Sequence, residues 1–232
     1  MNAPTGSDGW LALVATPIGN LDDITLRALE VLKEADLVAA EDTRRTRKLC
    51  SHFDISVSMT SFHAHNEYRK VQGLLDKVQR GQRLALVSDA GTPSISDPGY
   101  LIVREALKRG IEPRVIPGPS ALTYAVVASG LPVDRFSFHG YPPRKTGKRR
   151  NFLRELEGSD TTVFLFASVH RIGGLLEDIV EVLGSDTEIV VLREVTKAHE
   201  ERLRGTAREI FNEHGERNWK GELVVGMNLR EG

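Results

Sequence analysis

The segment spanning residues 84–99 constrains the fold of this chain more than any other. Its first four residues form a short apolar run that ends in a β-branched valine, as expected of a buried strand. Small residues and prolines follow, and Gly91 permits backbone angles that other residues avoid. Ser96 or Asp97 can then cap a helix that has Pro98 at its first position. This order places backbone groups at the carboxyl edge of a sheet, where α/β proteins bind small ligands, although spacing alone also allows an ordinary strand-to-helix connection.

Short apolar runs alternate with amphipathic stretches through the first half of the chain. Predicted strands cover residues 10–15, 37–40, 56–61, 84–87 and 113–116, and predicted helices cover residues 22–34, 43–50, 66–80 and 98–109. Asp22 or Asp23 is the expected cap of the first helix. Strands that alternate with helices in this way predict a mostly parallel sheet with helices on its faces.

The turn formed by Pro117, Gly118 and Pro119 is the best candidate for a domain boundary. Beyond it, predicted helices cover residues 120–128, 148–156, 172–183 and 207–213, and predicted strands cover residues 136–139, 162–166, 188–193, 200–204 and 222–227. Consecutive strands with short connections indicate a mixed sheet. We therefore predict an α/β protein with two domains, residues 10–117 and residues 118–232, in which the N-terminal sheet is mostly parallel and the C-terminal sheet is mixed.

Composition restricts the class of protein further. The 232 residues carry a formal net charge of −1, so any affinity for nucleic acid must come from local basic patches. The single cysteine, Cys50, excludes an internal disulfide and a thiolate metal cluster. No apolar run approaches membrane-spanning length, and residues 1–9 are too polar for a signal peptide and are expected to form a disordered leader. We expect a soluble, cytoplasmic protein with no membrane partner.

Three turns rich in proline and glycine separate predicted strands from predicted helices. They lie at residues 14–25, 88–93 (Ser-Asp-Ala-Gly-Thr-Pro) and 116–121 (Ile-Pro-Gly-Pro-Ser-Ala). Together they resemble the tetrapyrrole methylase superfamily, which uses S-adenosyl-L-methionine. Residues 40–48 (Ala-Glu-Asp-Thr-Arg-Arg-Thr-Arg-Lys) and 62–67 (Phe-His-Ala-His-Asn-Glu) narrow the match. With them, the chain resembles the ribosomal RNA small subunit methyltransferase I family from about residue 11 to residue 227.

This resemblance implies a two-domain, tetrapyrrole methylase-like fold, the class III methyltransferase fold, with the cofactor S-adenosyl-L-methionine in the cleft between the domains. It also implies a homodimer. The implied reaction is 2′-O-methylation of a cytidine ribose in the decoding region of small-subunit (16S) ribosomal RNA, within an assembled 30S-type subunit. Rossmann-type methyltransferases have a different fold, and this chain lacks the glycine fingerprint of that fold.

The resemblance also assigns the residues that hold the cofactor. From the three turns these are Pro17, Ser88, Asp89, Gly91, Thr92, Ile95, Ser120 and Ala121, and from the second domain they are Phe166, Val195 and Thr196. Glycine, proline and alanine allow the backbone to approach a ligand closely. Two alternatives stay open at this point: Phe166 and Val195 are equally consistent with plain core packing, and Asp89 with a turn-forming role.

A ribose hydroxyl is a weak nucleophile, so its methylation needs alignment and a group that takes its proton. The candidate catalytic residues are Glu41, Asp42, His65 and Glu67. Asp42 is the favoured proton acceptor, but it also suits a helix cap ahead of residues 43–50. His63 and His65 could form a metal pair, yet no third ligand is evident, and we predict no metal site.

Two basic runs are candidates for contact with RNA. The residues concerned are Arg44, Arg45 and Arg47 in the first run, and Arg144, Lys145, Lys148, Arg149 and Arg150 in the second. The second run is expected to form a flexible turn beside an aromatic residue, Tyr141, a combination that suits phosphate contacts next to a stacking surface. Runs of charge are also commonly just solvated faces.

Two other functions compete with this interpretation. A small-molecule methylase of the same superfamily, acting on a corrin or other tetrapyrrole precursor, would not need the basic runs. A non-catalytic homologue that keeps the cofactor site is the second alternative. It stays open because the chain has Ala167-Ser168-Val169-His170 where many relatives have Glu-Ser-Pro-His, and this difference removes an acid and a proline.

Overall fold

The computed structural model describes residues 9–230, so residues 1–8 of the predicted leader lie outside the described part of the chain. The chain forms two compact units that divide between Ser120 and Ala121. Each unit contains one five-stranded sheet with helices packed against it, which confirms the predicted α/β class. Within the described residues, no helix has the length and apolar character that crossing a membrane requires.

The first unit is a parallel α/β layer structure. Its elements are β1 (Trp10–Val14), α1 (Leu26–Glu34), β2 (Leu37–Ala40), α2 (Thr43–His52), β3 (Met59–Ser61), α3 (Glu67–Gln79), β4 (Arg83–Val87), α4 (Tyr100–Lys108) and β5 (Arg114–Ile116). All pairings are parallel, in the order β3-β2-β4-β1-β5. Alternate residues of β1 enter opposite core clusters, Leu11 on one face and Ala12 on the other, because successive side chains of a strand point to opposite faces.

The second unit contains the predicted mixed sheet. Its elements are α5 (Ala121–Ala128), β6 (Phe136–Phe138), α6 (Thr146–Leu156), β7 (Thr162–Ala167), α7 (Ile172–Val182), β8 (Glu188–Arg193), β9 (Glu201–Thr206), α8 (Ala207–His214) and β10 (Leu223–Asn228). The strand order is β6-β7-β10-β8-β9, with β6 and β7 parallel and the other pairs antiparallel. Leu165, Val191 and Val225, from the three central strands, share one buried core with Leu176 of α7.

The start of α1 differs from the prediction. Asp22 and Asp23 do not cap it, because they lie inside a short 3₁₀ helix, Leu21–Asp23, which Asn20 caps through the backbone N–H of Asp22 at 3.1 Å. The helix α1 begins at Leu26, and Thr25 is its cap: the Thr25 hydroxyl oxygen accepts the backbone N–H of Ala28 at 3.1 Å. A threonine at this position satisfies one of the donors that every helix start leaves unpaired.

The start of α4 is also corrected. Neither Ser96 nor Asp97 caps it and Pro98 is not its first residue, since the helix begins at Tyr100 after Gly99, with no side-chain cap. The loop closes on itself instead, with the backbone N–H of Ser94 donating to the carbonyl oxygen of Pro98 at 3.3 Å. Gly99 has φ +147°, and a Cβ there would lie 2.3 Å from the Ser94 hydroxyl oxygen, so only glycine fits. The turn after β4 is therefore longer than predicted.

Candidate functional site

The three turns singled out in the sequence meet at the carboxyl edge of the first sheet. Thr16, after β1, donates its backbone N–H to the carbonyl oxygen of Gly91 at 2.9 Å, and the Gly91 N–H returns a bond to Thr16 at 3.0 Å. The Thr16 hydroxyl also donates to the carbonyl oxygen of Ser88 at 3.2 Å. Beside them, Ala15 bonds to Ile116 at the end of β5 at 3.1 Å. Parallel strands end at one edge, which is why the turns converge.

The backbone at this edge is tightly packed and locally strained. Gly91 has φ +79°, and Ser94 and Ser96 have φ +76° and +61°, although they are not glycines. A Cβ at Gly118 would lie 3.1 Å from that of Ala15, so the turn after β5 also packs closely against β1. Left-handed residues other than glycine cost about 1–3 kcal/mol each and cluster at ligand sites.

A pocket of about 210 Å³ opens beside these turns. Its lining includes Pro17, Ser88 and Asp89, three of the residues predicted to hold the cofactor. Leu21 and Leu49 supply apolar walls that the sequence interpretation did not select. Backbone polar groups next to apolar walls suit a ligand that has an adenine, a ribose and an amino-acid tail, so the residues present fit S-adenosyl-L-methionine.

Not all of the predicted cofactor residues of the first unit can use their side chains. Ser88 is buried, and its hydroxyl donates within its own turn, to the carbonyl oxygens of Ala90 at 3.4 Å and Gly91 at 3.3 Å. Thr92 is half-buried, whereas Ile95 is 39% exposed. The apolar Ile95 side chain is therefore available for contact, while Ser88 can offer a ligand only its backbone.

Two carboxylates lock the turns after β2 and β4 together. Asp89 Oδ1 accepts the backbone N–H of Asp42 at 2.9 Å, and Glu41 Oε2 accepts the backbone N–H of Asp89 at 3.4 Å. Arg45 Nε lies 3.5 Å from the other oxygen of Asp89. The strands β2 and β4 are neighbours in the sheet, so this exchange places Glu41 and Asp89 side by side at its carboxyl edge.

Asp42 is the N-cap of α2, the alternative role that the sequence left open for this residue. Its Oδ1 accepts the backbone N–H of Arg44 at 2.8 Å, and its carboxylate also binds the Arg44 guanidinium, from Nε at 3.0 Å and Nη2 at 2.6 Å. The hydrogen bonds from Arg44 hold the pKa of Asp42 well below its usual range. A carboxylate stabilised in this way is a weak base, which argues against Asp42 as the proton acceptor.

His65 and Glu67 follow the edge strand β3. His65 is exposed, and Glu67 is the first residue of α3. The rings of His63 and His65 lie 6.0 Å apart between centroids. The buried Asn66 binds His63 twice: its side-chain oxygen accepts the His63 backbone N–H, and its amide nitrogen lies next to His63 Nε2, both at 2.9 Å. His63 is therefore a fixed part of the turn, and His65 is the freer of the two imidazoles.

The remaining predicted cofactor residues lie in the second unit. Phe166 on β7 is half-buried, with the rings of Phe138 and Tyr141 packed against it at 4.8 Å and 5.5 Å between centroids. Val195 is buried, which agrees with the core-packing alternative for this residue. Thr196, next to it, has φ +64°. A β-branched residue in the left-handed region is a true conformational outlier, a signal that the sequence does not carry.

The first basic run forms the outer face of α2. Arg44, Arg45 and Arg47 are exposed, while Thr46 and Leu49 face the core. Three guanidinium groups therefore lie at the surface, at the edge of the sheet that carries the pocket. Those of Arg44 and Arg45 also face the carboxylates of Asp42 and Asp89, and Arg45 is itself part of the pocket lining.

The second basic run is divided between the surface and the interior. The prediction that all of its residues contact RNA from one flexible turn is therefore wrong. Arg149 is buried on α6 and its Nε donates to Asp178 Oδ2 at 2.6 Å. Arg150 Nε donates to the other oxygen of Asp178, also at 2.6 Å, and Arg150 Nη2 lies 2.6 Å from Glu181. These two arginines hold α6 against α7, so they are occupied by carboxylates. Only three side chains of the run remain exposed: Arg144, Lys145 and Lys148.

Comparisons with known proteins place the chain in a family. Residues 11–210 match the family of Tetrapyrrole (Corrin/Porphyrin) Methylases. The ribosomal RNA small subunit methyltransferase I of Halalkalibacterium halodurans is 47% identical over 217 residues, 94% of this chain and 75% of that protein. The protein of the same name from Thermotoga maritima is 43% identical over 223 residues, 96% of this chain and all of the relative. The chain belongs to the ribosomal RNA small subunit methyltransferase I family.

Solved structures agree with this family at the level of the fold. A cobalt precorrin-4 methyltransferase, CbiF, matches with a TM-score of 0.70 at 19% identity over 99% of both chains. A uroporphyrin-III C-methyl transferase from Thermus thermophilus, solved in complex with S-adenosylhomocysteine, matches with a TM-score of 0.67 at 17% identity, over 95% of this chain and 98% of that one. This chain therefore shares its fold with these two methyltransferases.

Proposed function

We propose that this protein transfers the methyl group of S-adenosyl-L-methionine to the 2′-oxygen of a cytidine ribose in the decoding region of 16S ribosomal RNA. The observation that carries the proposal is the convergence of the three turns at one sheet edge, in a chain of the ribosomal RNA small subunit methyltransferase I family. We place the reaction on an assembled 30S-type subunit in the cytoplasm. The exposed arginines of α2 suit contacts with RNA phosphates.

Residues of each unit are proposed as contacts of the cofactor. In the first unit Pro17, Asp89, Gly91, Thr92, Ile95 and the backbone of Ser88 take part, together with Ser120. In the second unit the contributors are Ala121, Phe166, Val195 and Thr196. When bound, S-adenosyl-L-methionine supplies a methyl group on a positively charged sulfur. The chain's own task is to exclude water and to align the ribose hydroxyl with that methyl group.

Glu41 is our proposed acceptor of the ribose proton. It directly follows β2, the strand next to β4, and the hydrogen bond from the Asp89 backbone N–H that orients its carboxylate is long, at 3.4 Å. Asp42, in contrast, already binds Arg44 through both oxygens. His65 and Glu67 follow the outermost strand and are the next candidates.

Glu41→Gln is expected to slow single-turnover methylation of ribosomal RNA roughly a hundredfold or more, the usual contribution of a positioned base. Asp42→Asn should slow it less than about tenfold, because asparagine caps a helix as well as aspartate does. Calorimetry should find cofactor affinity unchanged in both variants. If Glu41→Gln kept the full rate, the proton acceptor would have to be sought at His65 or Glu67, by the same measurement on His65→Gln and Glu67→Gln.

A homodimer is the proposed assembly. The helix α5 is almost entirely apolar, yet Val127 is 81% exposed on it. Burial of Val127 in a partner would remove apolar area from water. Light scattering at micromolar concentration should report twice the chain mass of 25.7 kDa. A mass of one chain under these conditions would contradict the proposal.

A further inference from the structure

Glu200 was not selected by any sequence motif, yet it joins two segments of the second unit. Its Oε2 accepts the backbone N–H of Thr196 at 2.8 Å. Its Oε1 accepts the hydroxyl group of Tyr124, which lies on α5. Arg202 donates from Nε to the same Oε1 at 2.9 Å, and also donates to the Tyr124 hydroxyl. One carboxylate thus connects α5, which begins at Ala121, to the turn that follows β8.

The turn after β8 needs such support because its backbone is strained. Glu194 and Thr196 have φ +51° and +64°, where the Cβ of an L-residue crowds its own backbone. Such conformations persist only when surrounding contacts enforce them. The Glu194 carboxylate accepts the backbone N–H of Glu222 at 2.9 Å and binds the Lys197 ammonium at 2.8 Å. Glu200 provides the corresponding restraint on Thr196.

The charge of Glu200 strengthens this restraint. The Tyr124 hydroxyl, the Thr196 N–H and the Arg202 guanidinium stabilise its ionised form and hold the pKa of Glu200 below its ordinary value. Hydrogen bonds from a neutral donor to an ionised acceptor are roughly twice as strong as bonds between neutral groups. An ionised carboxylate can therefore oppose the preference of threonine for the right-handed region.

We propose that Glu200 is a positioning residue of the cofactor site. It fixes Thr196 in the left-handed conformation and, through Tyr124, keeps the turn after β8 in register with the start of α5. The inference rests on the proposed function, because Ala121, Val195 and Thr196 are proposed contacts of S-adenosyl-L-methionine. Glu200 itself touches none of the reacting atoms in this proposal.

The test uses the full chain and two measurements. Hydrogen exchange of the amides of residues 194–200, without cofactor, reports on the turn itself. Calorimetry with S-adenosyl-L-methionine reports on binding. Glu200→Ala should increase exchange at Thr196 at least tenfold and weaken cofactor affinity at least tenfold. Glu200→Gln keeps one acceptor oxygen for the Thr196 N–H but loses the charge, so it should change both measurements less than Glu200→Ala does.

A matched control separates positioning from general loss of stability. Glu209 also uses its carboxylate to accept a backbone N–H, that of Thr206 at 2.9 Å, but it does so in the capping box of α8. Glu209→Ala should lower the unfolding temperature as Glu200→Ala does, and it should leave cofactor affinity unchanged.

Rescue by glycine tests the strain directly. Glycine adopts positive φ without the Cβ penalty, so Thr196→Gly should make the turn far less dependent on Glu200. In that background, Glu200→Ala should weaken cofactor binding less than threefold. An equal loss in both backgrounds, or unchanged exchange at Thr196 in Glu200→Ala, would overturn the inference. Failure of the wild type to bind the cofactor would instead overturn the proposed function, and the exchange measurement would still decide whether Glu200 holds Thr196.

Discussion

Replacement of Gly91 by valine is expected to reduce the affinity for S-adenosyl-L-methionine by up to roughly a hundredfold. Gly91 has φ +79° and exchanges two backbone hydrogen bonds with Thr16. A β-branched side chain is strained at this angle, and its Cβ would meet Ile18 Cγ2 at 3.4 Å and approach the Pro119 carbonyl oxygen at 3.8 Å. Both distances are ordinary van der Waals contacts, so it is the backbone strain at positive φ that favours a shift of the turn, and with it of the pocket that Pro17 and Asp89 line. Strain of about 3 kcal/mol converts to roughly a hundredfold in affinity.

The control for this experiment is Gly110→Val. Gly110 lies in the same unit and has nearly the same angle, φ +72°, but a Cβ there would meet nothing within 4 Å. It precedes β5 and so lies at the opposite, amino edge of the sheet. Both variants should lose similar backbone stability by thermal unfolding, while calorimetry should find that only Gly91→Val loses cofactor binding. Equal affinities in the two variants would mean that the turn after β4 is not part of the cofactor site.

The convergence of the turns could be predicted from the sequence because it follows from topology. The apolar runs of β1 and β4 identify parallel strands, and parallel strands present their carboxyl ends together. The start of α4 could not be predicted in this way. Pro98 is a good first residue for a helix, and only the folded loop, with Ser94 bonded to Pro98, moves the start to Tyr100.

The burial of Arg149 could not be predicted from the pattern of charges. The sequence of a basic run does not distinguish a buried arginine from an exposed one. The carboxylate that binds Arg149 in the interior belongs to Asp178, which is far away in the sequence. A signal was nevertheless present: Arg149, Leu153 and Leu156 share one face of α6 at helical spacing, and that face is buried. Glu200 had no comparable signal, because its role depends on the backbone angle of Thr196.

Removal of the exposed part of the second basic run is the other prediction with a large expected effect. The change is the triple variant Arg144→Ala, Lys145→Ala and Lys148→Ala. Each lost phosphate contact should lower the magnitude of the slope of log affinity against log salt by roughly 0.7 to 0.9, so the triple variant should lower it by roughly 2.1 to 2.7. The stability of the protein should change little, because all three side chains are exposed. Filter binding to ribosomal RNA over a salt series measures the slope.

Arg149→Ala should lower the stability of the protein and leave the salt dependence of RNA binding unchanged. It leaves Asp178, which is fully buried, without one of its two arginine partners, and loss of a buried ionic partner costs about 3 kcal/mol. Thermal unfolding should therefore occur at a clearly lower temperature, while the salt slope measured on folded protein stays that of the wild type. Arg154→Ala, an exposed change at the far end of the same helix, controls for loss of charge alone. If the triple variant kept the wild-type slope, or if Arg149→Ala lowered the slope as much as the triple variant, phosphate binding would have to be assigned elsewhere, first of all to the exposed arginines of α2.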